Sequence, residues 1–243
     1  MDFEDDAFVL SARLHGENGA IVDLLTASHG RYVVHVAGGA SRRMKPFLQP
    51  GARVIARYRS RVSEQMGAAT LEPVGEGPAA LFDDPLALAG LAAAASVAAG
   101  ALPEREAHPG AFFALEALSA ALAALEAWPA VYVRYEAGLL QELGFGLDLS
   151  KCAATGSTDD LIYVSPRTGR AVSRDAGAPY ADRLLVLPPF LLSAQGGLGE
   201  GDVGSGLTLT GHFLETFVFA VMNRPLPPAR VWLIDRLRDA GRL

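Results

Sequence analysis

The chain has 243 residues, half of them hydrophobic and a fifth charged, with one cysteine and a net charge of −6. So high an apolar fraction excludes a disordered chain, and a lone Cys152 excludes a disulfide framework and fits a reducing cytoplasm. The length accommodates two domains, and the net acidity argues against a polyanionic partner unless the charge is unevenly spread.

The first residues, MDFEDDAF, carry four acids where a secretory leader would carry Lys or Arg, so no leader is expected. Strands come next. Residues 7–13 alternate loosely, residues 20–26 form a β-branched run, and residues 31–37 (RYVVHVA) form another. HGENG and SHG between them have turn chemistry. Residues 51–62 are a long strand candidate, and residues 68–74 a shorter one. Five short strands in so short a span, with no helix among them, predict a small closed barrel of the OB-fold kind.

The charge is unevenly spread, and this region holds the basic part. Residues 24–63 contain no Asp or Glu, yet they carry Arg31, Arg42, Arg43, Lys45, Arg53, Arg57, Arg59 and Arg61. The other 203 residues carry 13 basic and 27 acidic side chains. Local density sets the field over a surface, so such a patch attracts polyanions even on an acidic chain. In the fourth strand, Arg53, Ile55, Arg57, Arg59 and Arg61 share one face, with arginines at intervals of about 7 Å. Phosphates along a nucleic-acid strand are similarly spaced, and each guanidinium offers them a planar fork of donors. The other reading is ion pairing, which needs acids remote in sequence; the acidic remainder of the chain could supply them. The segment GGASRRMKPF before this strand reads as a mobile basic loop, with Arg42, Arg43 and Lys45 as DNA contacts and Phe47 as a base-stacking candidate. Tyr58 falls on the opposite face of the strand and reads as core, while Tyr32 is open.

From residue 79 the pattern is helical. Residues 85–99 form an alanine-rich helix, too weakly apolar for a membrane span. Residues 109–127 and 130–143 carry stripes of helical period, and residues 204–222 and 226–238 read as two more helices separated by NRPLPP. Two domains are expected, a barrel over 1–78 and a mainly helical part over 79–243, with a strand-like insert at 148–182. Within the insert, Cys152-Ala-Ala-Thr155 and Ser173-Arg-Asp-Ala176 repeat the spacing of two zinc knuckles, but only Cys152 can supply a thiolate. A structural zinc site needs four Cys or His ligands, so no zinc and no other cofactor is expected.

No chemistry-bearing motif emerges. There is no phosphate-binding GxxxxGK[ST] loop, no HExxH and no GxSxG, and the five histidines lack metal-ligand spacing. The glycine-rich stretch QGGLGEGDVGSG lacks a preceding strand and reads as a flexible connector. No catalytic residue is assigned, and the chain is not expected to be an enzyme.

The opening FVLSARLHGENGAIVDLLTASHGRYVVHVAGGASRR, followed by LQPG, resembles the start of RecO proteins. RYEAGLLQELGFGLDLSKCAATG and SPRTGRAVS resemble that family's helical and degenerate zinc-ribbon region, while the ending NRPLPPARVWLIDRL departs from its basic tail. The resemblance implies an α+β chain: an OB-fold barrel, then a helical domain with a ribbon-like insert. It further implies a recombination mediator that binds single- and double-stranded DNA and anneals complementary strands. With RecR, such a mediator helps load RecA onto DNA coated by single-stranded DNA-binding protein (SSB). It also implies a site for the SSB C-terminal tail, for which Arg105 and Arg134 are rim candidates, and a cytoplasmic, nucleoid-associated location away from membranes. The alternative is an OB-type adaptor whose basic face docks acidic protein partners.

Overall fold

The computed structural model describes residues 2–60, 66–75, 77–193 and 195–243. The chain divides into two compact units. Unit 1 comprises Met1–Leu125 and Pro227–Leu233, and unit 2 comprises Glu126–Leu226 and Ile234–Leu243. The first unit therefore runs past the barrel to take in two helices.

Unit 1 is built on five strands: β1 (Asp2–His15), β2 (Gly19–Thr26), β3 (Gly30–Val36), β4 (Arg53–Arg59) and β5 (Gly67–Pro73). They close into a barrel in the order β1-β2-β3-β5-β4. Four neighbouring pairs are antiparallel; β3 and β5 close the remaining seam in parallel, pairing Val34 with Gly67 and His35 with Ala68. Alternation decides which side chains fill the interior: Ala7, Val9, Val22, Leu24, Val34, Val54, Ala56 and Leu71 form the core. Tyr58 lies there too at 3% exposure, as does Tyr32, while Ile55, Arg57 and Arg59 face outward.

Strand β2 is buried along its whole length. One face fills the barrel, and the other (Ile21, Asp23, Leu25) is covered from outside by α1 (Pro85–Ala101) and α2 (Pro109–Ala124). Helix α1 starts where Asp84 accepts hydrogen bonds from the amides of Leu86 and Ala87, with Pro85 in the first turn. Its buried face is mostly alanine and glycine, so its backbone approaches the barrel closely. The Phe8 and Phe112 rings, 5.1 Å apart, join β1 to α2.

Unit 2 contains α3 (Trp128–Glu142), the strands β6 (Leu161–Val164) and β7 (Ala171–Ser173), and the one-turn helix α4 (Arg174–Gly177). It continues with β8 (Leu185–Val186), the one-turn helix α5 (Pro189–Leu192), α6 (Asp202–Phe213) and a π-helical segment Leu214–Phe219. A last helix, α7 (Pro228–Asp239), is divided between the units, its residues up to Leu233 belonging to unit 1 and those from Ile234 to unit 2. Strands β6 and β7 of the insert join β8, which lies past its expected end at residue 182, in a three-stranded sheet β7-β6-β8; the tight β6–β7 turn returns through the Ser165 amide to the Arg170 carbonyl.

Two local features differ from the sequence reading. Part of the glycine-rich stretch is the first turn of α6, not connector: at Gly206 a Cβ would stand 2.8 Å from Val133, so glycine is what lets α6 press against α3. The single helix expected over 204–222 changes at Leu214 to a π-helix, with the Ala220 amide bonded to the Glu215 carbonyl five residues back. No helix among the described residues is long and apolar enough to cross a membrane.

Candidate nucleic-acid interface

The alternation of β4 sets out Arg53, Arg57 and Arg59 on the outer surface of the barrel, as its sequence predicts. The surface is not free of acid, however. Strand β1 pairs antiparallel with β4, placing Glu4 opposite Arg57 and Asp2 opposite Arg59. Arg57 Nε donates to Glu4 Oε2 at 2.5 Å, and its Nη2 lies 3.3 Å from Glu72 on β5. Arg53 Nη1 stands 2.5 Å from Glu116 of α2 and its Nη2 3.5 Å from Asp6, with the guanidinium 6.0 Å from the Phe112 ring centre. The acids that neutralise these arginines come from unit 1 itself, and two of them are in the opening MDFEDD.

Arg31 is held more tightly still. Its guanidinium meets both oxygens of Asp23 at 2.9 to 3.0 Å and donates to the Leu102 carbonyl at 2.9 Å. Asp23 is 7% exposed, and burial raises its carboxyl above the ordinary 3.8, against the hydrogen bonds and charge of Arg31. Arg31 is thus the counter-ion of a buried carboxylate that fastens the outer face of the barrel to the segment after α1. Arg59 is exposed, and it has no carboxylate within 4.0 Å among the described residues. Arg61 lies outside the described residues.

The remaining predicted cations are on the β3–β4 connection. Arg42, Arg43 and Lys45 are exposed and have no carboxylate within 4.0 Å among the described residues. Instead of an open loop, the connection is a run of hydrogen-bonded turns: Ser41 N to Gly38 O, Met44 N and Lys45 N to Ser41 O, and Phe47 N to Met44 O. It is seated on the barrel. Gly38 takes φ 73°, and a Cβ on Gly39 would lie 2.6 Å from that of Ala20, so only glycine admits this close approach. The Ala40 amide donates to the Asn18 carbonyl, which joins the connection to the β1–β2 turn. Phe47 is half-buried at the end of a short 3-10 turn, Lys45–Phe47. Close to these groups stands Arg13, an exposed cation of β1 that lies outside the acid-free run because it precedes Asp23.

The two rim candidates for a peptide tail belong to different units. Arg105, in unit 1, is exposed with φ 64°, and its amide donates to the Arg31 carbonyl at 2.8 Å. Arg134, on α3, donates from Nε and Nη2 to the Phe190 carbonyl at 3.1 and 2.8 Å, and from Nη2 to Ser193 O, with its guanidinium over the Phe190 ring. It holds the α5 backbone to α3.

In the insert, Cys152 is 1% exposed, and its Sγ accepts from the Ser173 amide at 3.3 Å and the Ser173 hydroxyl at 3.4 Å. One knuckle position that lacks a thiol or imidazole, Ser173, thus converges on the one that has a thiol, through two hydrogen bonds. Among the described residues no group of three or more His, Cys, Asp or Glu side chains is placed to hold a metal ion.

Comparison with known proteins gives this geometry a family. The family model described as Recombination protein O N terminal matches residues 1–73, which is the barrel, and the one described as Recombination protein O C terminal matches residues 83–219. The chain belongs to the RecO family. It is 77% identical to the DNA repair protein RecO of Phenylobacterium zucineum (strain HLK1) over 243 residues, all of both chains. It is 78% identical to the DNA repair protein RecO of Caulobacter sp. (strain K31) over the same full length. Against the DNA repair protein RecO of Rhodospirillum centenum (strain ATCC 51521 / SW) it is 53% identical, over 99% of this chain and 96% of the other. The OB-like barrel followed by helices is therefore the RecO arrangement.

Proposed function

We propose that this RecO-family chain is a non-enzymatic DNA-binding protein of recombination repair, and that it grips DNA through the β3–β4 connection of the barrel. The observation that carries this reading is the exposure of Arg42, Arg43 and Lys45 without carboxylate partners among the described residues, on a segment seated against the barrel. Such groups neutralise phosphates and release counterions, which favours binding without regard to base sequence. Two strands held on one basic surface repel each other less and meet at higher local concentration, so complementary strands anneal without ATP. Family membership supports the repair role; in it the chain acts with RecR, engages the SSB tail and helps load RecA on single strands. Arg59, and Arg53 and Arg57 when their acids release them, extend the phosphate track.

A second reading is favoured by the ion pairs of Arg31, Arg53 and Arg57, which leave less free charge than the sequence promises. In it the barrel is an adaptor for acidic proteins, and DNA is incidental.

The test is binding to a labelled single strand of about 30 nucleotides across a salt series, for wild type and for Arg42→Ala/Arg43→Ala/Lys45→Ala. Three phosphate contacts contribute a slope of about −2 to log K against log salt, and the triple variant should lose that share. Unaltered binding by the triple variant, or none by wild type at low salt, would move the assignment to the adaptor.

A further inference from the structure

The β1–β2 hairpin ends in features that neither the fold nor the proposed DNA contact requires. Arg13 and Leu14 lie at the end of β1, and Leu14 is 74% exposed, an isolated large apolar side chain at the tip of a hairpin. In the cross-strand register Arg13 stands opposite Ile21, and Ile21 opposite His35. The His35 and His15 rings meet edge to face with centres 6.0 Å apart, so the outer row beside Arg13 carries imidazoles and no carboxylate. Arg13 has no carboxylate within 4.0 Å among the described residues.

The hairpin is not isolated. Between it and the β3–β4 connection lies a groove of about 290 Å³, lined by Arg13, Leu14 and Ala20 on one side and by Ala40, Lys45 and Leu48 on the other. The Asn18 to Ala40 hydrogen bond and the close contact of Gly39 with Ala20 fix the spacing of the two walls. The groove thus has an apolar floor, a cation in each wall, more cations beyond one wall (Arg42 and Arg43), and an exposed leucine at its lip. Glu17, at the hairpin turn, is the only acid on the hairpin beyond Arg13, and it does not line the groove.

We propose that this hairpin is the second wall of a groove for single-stranded nucleic acid, with Arg13 and Lys45 neutralising one phosphodiester backbone from opposite sides and Leu14 lying against an unstacked base. The inference rests on the DNA-binding reading above and adds its boundary. Charge complementarity selects a polyanion. An apolar floor and lip select one whose bases are free to be covered, because a duplex keeps its bases stacked inside. The groove therefore favours single strands over duplex.

Full-length protein is titrated into a labelled oligothymidine of about 30 nucleotides and, separately, into a duplex of equal length, across a salt series. Variants are Arg13→Ala, Arg13→Lys, Leu14→Glu and, as a control for net charge alone, Arg183→Ala in unit 2. The expected result is a single-strand salt slope flatter by about 0.7 for Arg13→Ala, retained by Arg13→Lys and unaffected by Arg183→Ala. Leu14→Glu should weaken single-strand binding several-fold and duplex binding less; Leu14 is exposed, so its thermal midpoint should match wild type. If Arg13→Ala and Leu14→Glu bind like wild type while Arg42→Ala/Arg43→Ala/Lys45→Ala does not, the hairpin wall is overturned and the DNA-binding reading stands. Equal effects of Arg13→Ala and Arg183→Ala would also overturn it, as net charge would then suffice. If wild type binds polyglutamate but no oligonucleotide, the groove belongs to an acidic protein, and both readings fall.

Discussion

Arg57 Nε stands 2.5 Å from the carboxylate of Glu4, its direct antiparallel neighbour across the β1–β4 seam. Both side chains are half-exposed, so the pair is a screened surface contact that contributes little to stability. Its effect is on charge, since it keeps a cation of the outer face occupied. The variant Glu4→Gln/Glu72→Gln should release Arg57 with little change in thermal midpoint. The released guanidinium is expected to tighten binding to single strands and to steepen the salt slope by about 0.7 for one added phosphate contact. A slope equal to that of wild type would mean that Arg57 does not reach DNA even when free.

Arg31 should behave as a structural residue. Removing the cation from a buried pair leaves an uncompensated carboxylate, which costs about 3–5 kcal/mol. Arg31→Met is expected to shift the urea midpoint accordingly, and Arg31→Met/Asp23→Leu, which removes both charges, to recover most of the loss. If the single variant were as stable as wild type but bound DNA poorly, Arg31 would return to the interface.

The Asp23 carboxyl gives a pH dependence of defined sign. Its folded pKa is raised by burial above 3.8, so its contribution to stability is fully present below 3.8 and is lost as pH rises through the higher folded value. Asp23→Asn, which does not titrate, should therefore gain stability relative to wild type as pH rises from 3.8 towards neutrality. Urea unfolding at several pH values checks this, and a relative loss over that range would contradict it.

Gly30 carries the contact of β3 with the segment that follows α1. Its φ is 82°, and an added Cβ would fall 1.7 Å from the Glu106 carbonyl oxygen. No side chain fits without moving backbone, so Gly30→Ala should cost at least about 2 kcal/mol and lower the thermal midpoint by about 5 °C or more. Calorimetry reads the effect, and an unchanged midpoint would show that this segment yields freely.

The insert should hold together without metal. Protein purified without chelators is expected to contain far less than one zinc per chain by elemental mass spectrometry, and Cys152→Ala to cost about 1–3 kcal/mol through the emptied site and the unpaired Ser173 donors. Zinc at one per chain would overturn this account.

The barrel was legible because period-two alternation is local. Strands β3 and β4 alternate between core and surface, and Tyr58 is buried while Arg57 and Arg59 are exposed, as their parity requires; β2, buried along its whole length, was legible instead as an apolar, β-branched run. The electrostatics of the candidate site were not legible, because pairing register is not local. MDFEDD reads as a charged opening until β1 is laid against β4; only then do Glu4 and Asp6 meet the arginines. Spacing held a partial signal, since Glu4 and Asp6 share one parity along β1 just as Arg57 and Arg59 do along β4. Asp23 bounds the acid-free run in sequence, yet in space it takes up the run's first arginine. The π-helical turn at Leu214 had no cue, because the same residues also suit a continuous α-helix.

Strand β1 is 14 residues long and pairs with both of its neighbours, β4 along its first half and β2 along its second. Its first half carries the acids that occupy Arg53 and Arg57, and its far end carries Arg13 beside the basic connection. Opposing influences on a passing polyanion are thus written on one continuous ribbon, at positions whose side chains do not enter the core. Under the proposed DNA-binding function, substitution at Glu4, Asp6 or Arg13 is expected to change grip and leave packing alone, so descent with modification has an adjustable dial here. Relatives working at different salt could set it without disturbing the barrel that bears it.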